Sequence, residues 1–149
     1  MVRFISSCFV IDFESKEVLL VFDNKEGKWT QPRTIMGEEE SPIQACIRAV
    51  RQNAGIDVCV SNTLFDAEDY ITPIDSVITS TTEGKMIDIQ YMGIPTDKEI
   101  APPDGTYAKW FGVEEIQGFD YIDQDIKFKV KKLHKLFKND VKQRIRKLG

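Results

Sequence analysis

Trp29-Thr30-Gln31-Pro32-Arg33-Thr34-Ile35-Met36-Gly37-Glu38-Glu39-Glu40-Ser41-Pro42-Ile43-Gln44-Ala45-Cys46-Ile47-Arg48-Ala49-Val50-Arg51-Gln52-Asn53-Ala54-Gly55-Ile56 is the stretch on which the reading of this chain turns. Ser41 is an N-cap residue whose hydroxyl can accept from an open amide of the first helical turn. Pro42 follows at the first helical position, where a missing N–H costs nothing. Gln44 completes a capping box three residues after Ser41. Ile43, Cys46, Ile47 and Val50 recur at helical spacing and give one apolar face. Gly55 is expected to stop the helix with a positive φ. The stretch predicts a helix over Pro42–Ala54, entered from an extended segment and left into a strand.

Working outward, Phe4–Asp12 and Glu17–Asp23 read as the strands of a hairpin around a polar turn. Beyond the helix, strands are expected over Asp57–Phe65, Val77–Thr82, Lys85–Ile94 and Tyr107–Phe111, with a further short one beginning at Tyr70. Pro102-Pro103 and Asp104-Gly105 mark a loop. A short helix is expected over Val113–Ile116, ended by Gly118. From Asp123 the spacing changes. Ile122, Ile126, Val130, Leu133, Phe137, Val141, Ile145 and Leu148 step by three or four, one apolar seam on a long terminal helix over about 123–149.

The central stretch resembles the Nudix box, whose pattern is Gly, five residues, Glu, seven residues, Arg-Glu-apolar-x-Glu-Glu-x-Gly-apolar. Glu40 and Arg48 have the pattern's separation, and Val50, Gly55 and Ile56 fall on its apolar, Gly and apolar positions. Trp110-Phe111-Gly112-Val113-Glu114-Glu115-Ile116 looks like a segment common near that family's C-terminus. The resemblance spans about residues 4 to 137. It implies an α/β (α+β) fold: a Nudix-type α/β/α sandwich with a mixed β-sheet and a long C-terminal helix.

The departures fall on the chemistry. Thr34 stands at the pattern's first Gly, Ala49 at the Glu after Arg, and Gln52 and Asn53 at the paired Glu. In the family those three carboxylates share one helix face and hold a divalent metal against a pyrophosphate. Magnesium needs oxygen ligands, usually including carboxylates. Two amides and a methyl group do not replace them. The expectation is therefore a catalytically inactive or very weak domain that binds a nucleotide, another phosphate compound or a macromolecule. It would have no metal site and no cofactor. One rival is an active pyrophosphohydrolase of nucleoside diphosphate-linked substrates, with Mg2+ held by ligands outside the box. Another is a structural subunit of an RNA-processing assembly.

Individual residues follow from this. Glu40 and Arg48 are expected to pair and brace the loop against the helix. Glu39, Glu40 and Glu99 are the carboxylates a residual catalytic site would use, with Asp97 beside Glu99. Acids before a helix are also favoured by its dipole alone. Arg33, Gly37, Trp29 and Tyr91 are candidate ligand contacts, with Tyr70 and Trp110 as further aromatics. The bland reading of such aromatics in strands is core.

The 149 residues are 42% apolar and 30% charged, which suits one globular domain over 1–149. No run reaches the length of a membrane span, and Phe4–Ile11 lacks the flanks of a signal peptide. Cys8, Cys46 and Cys59, odd in number and set among apolar residues, are expected to be buried thiols in a reducing, intracellular compartment, cytoplasm or nucleus. Charge is segregated. Lys127–Lys147 holds ten Lys or Arg against Asp140, a net +9, so the rest of a chain of net −4 carries −13. Lys131, Lys135, Lys138, Lys142 and Arg146, with Lys127, form a stripe on the terminal helix. It is expected either to face water or to meet RNA or an acidic protein partner.

Overall fold

The computed structural model describes residues 2–61 and 72–148, without the side chains at 61, 81 and 139–148. The elements are β1 (Val2–Asp12), β2 (Glu17–Asp23), β3 (Lys28–Thr30), β4 (Arg33–Ile35), α1 (Pro42–Ala54), β5 (Val58–Ser61), β6 (Asp75–Thr81), β7 (Gly84–Pro95), β8 (Ala108–Gly112) and α2 (Gln124–Leu148). A single 3-10 turn, Glu115–Gly118, stands where the short helix is expected. The strand expected at Tyr70 and the far end of the one after α1 lie outside the described residues.

The sheet is mixed. Its order is β3-β2-β1-β7-β5, with β4 on β1, β6 on β7 and β8 on β2. β1 and β7 are parallel, from Val2 opposite Lys85 to Val10 opposite Gly93; the other ladders are antiparallel. Cys8 to Ile11 are all fully buried, as a central strand covered on both faces requires. Alternation divides its residues between two cores. Cys8, Val10, Leu19 and Tyr91 meet Cys46, Val50 and Ala54 of α1. Phe9, Ile11, Val18, Leu20 and Met92 meet Ile126, Val130, Leu133 and Phe137 of α2. The result is the expected α/β/α sandwich, with one helix on each face. No helix among the described residues is long and apolar enough to cross a membrane.

Four expectations are corrected. The extended segment that leads into α1 is not one continuous strand but two, β3 and β4. Gln31-Pro32 breaks it, and the carbonyl of Pro32 accepts from the Cys8 N–H (3.0 Å) as the chain crosses from β2 to β1. The 113–116 helix is shifted and tighter. Cys59 is exposed, unlike Cys8 and Cys46, because the β5 alternation turns it away from Val58 and its core. Lys127 leaves the water-facing stripe and is only 5% exposed. Its carbonyl accepts from the Gln117 side chain (3.4 Å), which ties this turn of α2 to the 3-10 segment.

Candidate functional site

The capping predicted for α1 is present in full. The Ser41 hydroxyl accepts from the Gln44 N–H (3.2 Å), and the Gln44 side chain accepts from the Ser41 N–H (2.9 Å). The Ser6 hydroxyl donates to the carbonyl of Pro42 (2.7 Å), pinning the helix start to β1. Ahead of it, the Met36 N–H donates to the Phe4 carbonyl (3.0 Å). Between the loop 36–40 and α1 lies an open pocket of about 590 Å³ lined by Gly37, Glu39, Glu40, Gln44, Arg48 and Arg51.

Arg48 organises this site. Its Nε and Nη2 donate to the two carboxylate oxygens of Glu40 (2.7 and 2.8 Å). Nη1 donates to the Thr34 hydroxyl (3.2 Å) and Gln52 Oε1 (3.0 Å), and Nη2 to the Ile35 carbonyl (2.9 Å). All five guanidinium N–H groups are thus engaged. Glu40 also accepts from the Gly37 N–H (3.1 Å). The guanidinium first, and then that amide, hold the Glu40 carboxyl at about 2. A depressed carboxyl contributes stability above its unfolded value, near 4.5, and loses it as pH falls towards 2. The gap in denaturation midpoint between wild type and Glu40→Gln is expected to be widest above pH 4.5 and to close in that window. A gap constant down to pH 2.5 would contradict this.

The remaining polar groups of the pocket are mostly committed as well. Arg51 pairs with Asp57, and Gln44 serves the cap. Glu39 is exposed and makes no hydrogen bond or ion pair among the described residues. Ala49 is fully buried, Gln52 accepts from Arg48, and Asn53 donates to the Ala49 carbonyl (2.7 Å). Among the described residues no three His, Cys, Asp or Glu are grouped to hold a metal ion.

Only some expected site residues meet here. Gly37, Glu39, Glu40 and Arg48 line the pocket. Arg33 instead pairs with Asp23 at the end of β2 (2.8 Å). Trp29 packs edge-on to Phe22 and Phe111 (5.3 and 5.1 Å) in the core on the α2 side. Tyr91 is 4% exposed and sits under α1. Strand alternation sends these side chains to different places, so they do not form one cleft with Gly37. Glu99 lies at the other end of α1, two residues before Ala101, whose N–H donates to the Ala54 carbonyl (2.8 Å). Asp97 there accepts from the Glu99 N–H (3.0 Å), closing a loop turn. Trp110 donates to the Lys98 carbonyl (3.1 Å) and carries the Lys98 ammonium over its ring. Tyr70, and the side chains of Lys142 and Arg146, lie outside the described residues.

The sequence reading missed a second polar feature, on the α2 face of the sheet. Asp75 pairs with Lys129 (3.0 Å), and Lys129 donates to Gln90 Oε1 (2.6 Å). Gln90 donates to Asp88 (3.0 Å), and the Ser7 hydroxyl donates to the other Asp88 oxygen (2.9 Å). Gln31 Nε2 donates to Ser7 Oγ (3.4 Å), and Gln31 Oε1 is buried with no hydrogen-bond partner among the described residues. The available signal was Ser7, Gln31 and Gln90 breaking otherwise apolar strand patterns.

No protein-family model matches the sequence, and no curated protein matches it. Solved structures do. A hydrolase of the NUDIX family from Clostridium perfringens superposes with a TM-score of 0.77 at 24% identity, over 90% of this chain and 97% of that one. The MutT protein from Methanosarcina mazei Go1 gives 0.68 at 18% identity, over 88% and 94%. A MutT NUDIX hydrolase from Burkholderia pseudomallei gives 0.66 at 14%, over 88% and 97%. The architecture, with a capped helix on one face of a mixed sheet and a long terminal helix on the other, is the Nudix hydrolase fold.

Proposed function

We propose that this chain is a non-hydrolytic binding domain built on the Nudix hydrolase fold. The donor set of α1 carries the reading. The fold's hydrolases imply a divalent metal on the helix face that here holds Ala49, Gln52 and Asn53. A buried methyl and two hydrogen-bonded amides do not fit magnesium, which takes carboxylate oxygens together with phosphate and water. Glu40, which shares the Arg48 guanidinium with Gln52, is already held by both oxygens to Arg48. Glu39 alone is one monodentate ligand.

The ligand class that fits is a nucleotide or a related compound bound without turnover. Gln31 Oε1, buried and without a hydrogen-bond partner among the described residues, supports it. A buried acceptor left without a partner costs roughly 1–3 kcal/mol, and a ligand donor such as a nucleobase N–H would satisfy it. The test is a panel of nucleoside mono- and diphosphate derivatives with and without magnesium. We expect ligand-induced stabilisation without product release, and no saturable magnesium binding by calorimetry. Magnesium-dependent turnover near the ~10 s⁻¹ typical of enzymes would overturn the reading. It would point to an active hydrolase using carboxylates outside the α1 face.

A further inference from the structure

We propose that the outer face of α2 is a binding ridge for single-stranded nucleic acid, with Phe128 as a base-stacking platform between lysines. The proposal does not rest on the reading of α1 given above.

The α2 seam fixes which face is free. Ile126, Val130, Leu133 and Phe137 are buried against the sheet. At 100° per residue the opposite face is centred on Phe128 and Lys135, with Lys131, Lys132, Leu136 and Lys138 flanking it. All six are exposed, Phe128 at 65%. Among the described residues, Lys131, Lys135 and Lys138 enter no ion pair, although the rest of the chain carries −13. The acidic body therefore leaves the ridge unneutralised. Lys127, at the edge of the stripe, is buried and does not belong to the ridge.

The aromatic decides between anionic partners. The Lys132 ammonium lies 5.8 Å over the Phe128 ring, and Tyr121, 63% exposed, stands three residues before the helix. Cations alone would suit any polyanion. Cations around an exposed ring match what single strands offer, phosphates in series and unstacked bases with a π-face. A duplex hides its base faces, and an acidic peptide gives the ring nothing to stack on. Among the described residues the apolar seam of the helix, Ile126, Val130, Leu133 and Phe137, is buried against the sheet and not offered to a bilayer. In the sequence, the same helical spacing continues through Lys142 and Arg146.

The experiment is fluorescence anisotropy of a labelled short oligouridylate with the full chain, with heparin and polyglutamate as comparison ligands. The variants are Phe128→Ala and the triple Lys131→Ala/Lys135→Ala/Lys138→Ala. Both change exposed positions, and circular dichroism confirms an unchanged fold. Binding is expected at about 50 mM salt and to fall with a log–log slope of about −2 to −3. The triple variant is expected to abolish it. Phe128→Ala is expected to weaken oligouridylate roughly 5- to 150-fold and to leave heparin unchanged. No oligouridylate binding at low salt would overturn the proposal. So would binding indifferent to Phe128→Ala, and so would polyglutamate bound as tightly as oligouridylate, which would assign the ridge to an acidic protein.

Discussion

Gly55→Ala is expected to lower the unfolding free energy by about 3 kcal/mol or more. Two costs combine. Gly55 has φ +73°, a region that costs an L-residue about 1–2 kcal/mol. In addition, a Cβ there would lie 2.4 Å from the carbonyl oxygen of Ala101 and 2.9 Å from its carbon. That neighbour is backbone and cannot rotate aside. It is also tied down, because the Ala101 N–H donates to the Ala54 carbonyl (2.8 Å) and Ile100 packs on the core under α1. Relief therefore costs a hydrogen bond, about 1 kcal/mol, and some of that packing. At roughly 2–4 °C per kcal/mol for a domain of about this size, the midpoint is expected to fall by about 6–12 °C. Gly105→Ala is the control. Its φ is +82° but nothing stands within 4 Å of the added carbon, so only the backbone term, about 1–2 kcal/mol, remains. Equal losses at the two positions would show that the Ala101 contact does not matter.

That contact illustrates what a single sequence yields. The helix was readable to the residue because its signals are local. Ser41, Pro42 and Gln44 act within one turn, and Gly55 acts on the next bond. β2 was equally legible from its apolar run between polar turns. The pairing of Glu40 with Arg48 follows from a loop that must return to the helix it enters. What failed depended on partners distant in sequence. Lys127 is buried at the turn of α2 to which Gln117 of the 3-10 segment hydrogen-bonds, and the helical period carries no trace of that. The break at Gln31-Pro32 depends on Cys8 being there to donate. The chain from Asp75 through Lys129, Gln90 and Asp88 to Ser7 and Gln31 joins five separate segments. Its members looked like isolated polar interruptions until the sheet aligned them. The candidate ligand contacts were dispersed for the same reason. Trp29 and Tyr91 are both strand aromatics, and each went to the core its face dictates.

Arg48→Ala is expected to lower the unfolding free energy by about 2–3 kcal/mol and to leave nucleotide binding within a factor of two to three once the fold is intact. The side chains of Arg48 and Glu40 are 34% and 19% exposed. An exposed pair contributes under about 1 kcal/mol, and breaking a fully buried one costs about 3–5 kcal/mol. This pair lies between. The rest of the estimate comes from the other acceptors. Truncation strands the Ile35 carbonyl, the Thr34 hydroxyl and Gln52 Oε1 together, although water can reach some of them. Arg48→Lys separates charge from geometry. An ammonium keeps the attraction to Glu40 but offers three donors from one point, where the guanidinium spreads five in a plane. It cannot span β4, the loop and the next turn of α1 at once, so Lys is expected to recover less than half of the loss. The two variants are compared by chemical denaturation, with nucleotide affinity measured at a temperature where both are folded. If Arg48 is a brace, the midpoint moves and the affinity does not. If the midpoint stays and the affinity collapses, Arg48 is a ligand contact, and its full set of internal bonds must open when the ligand arrives.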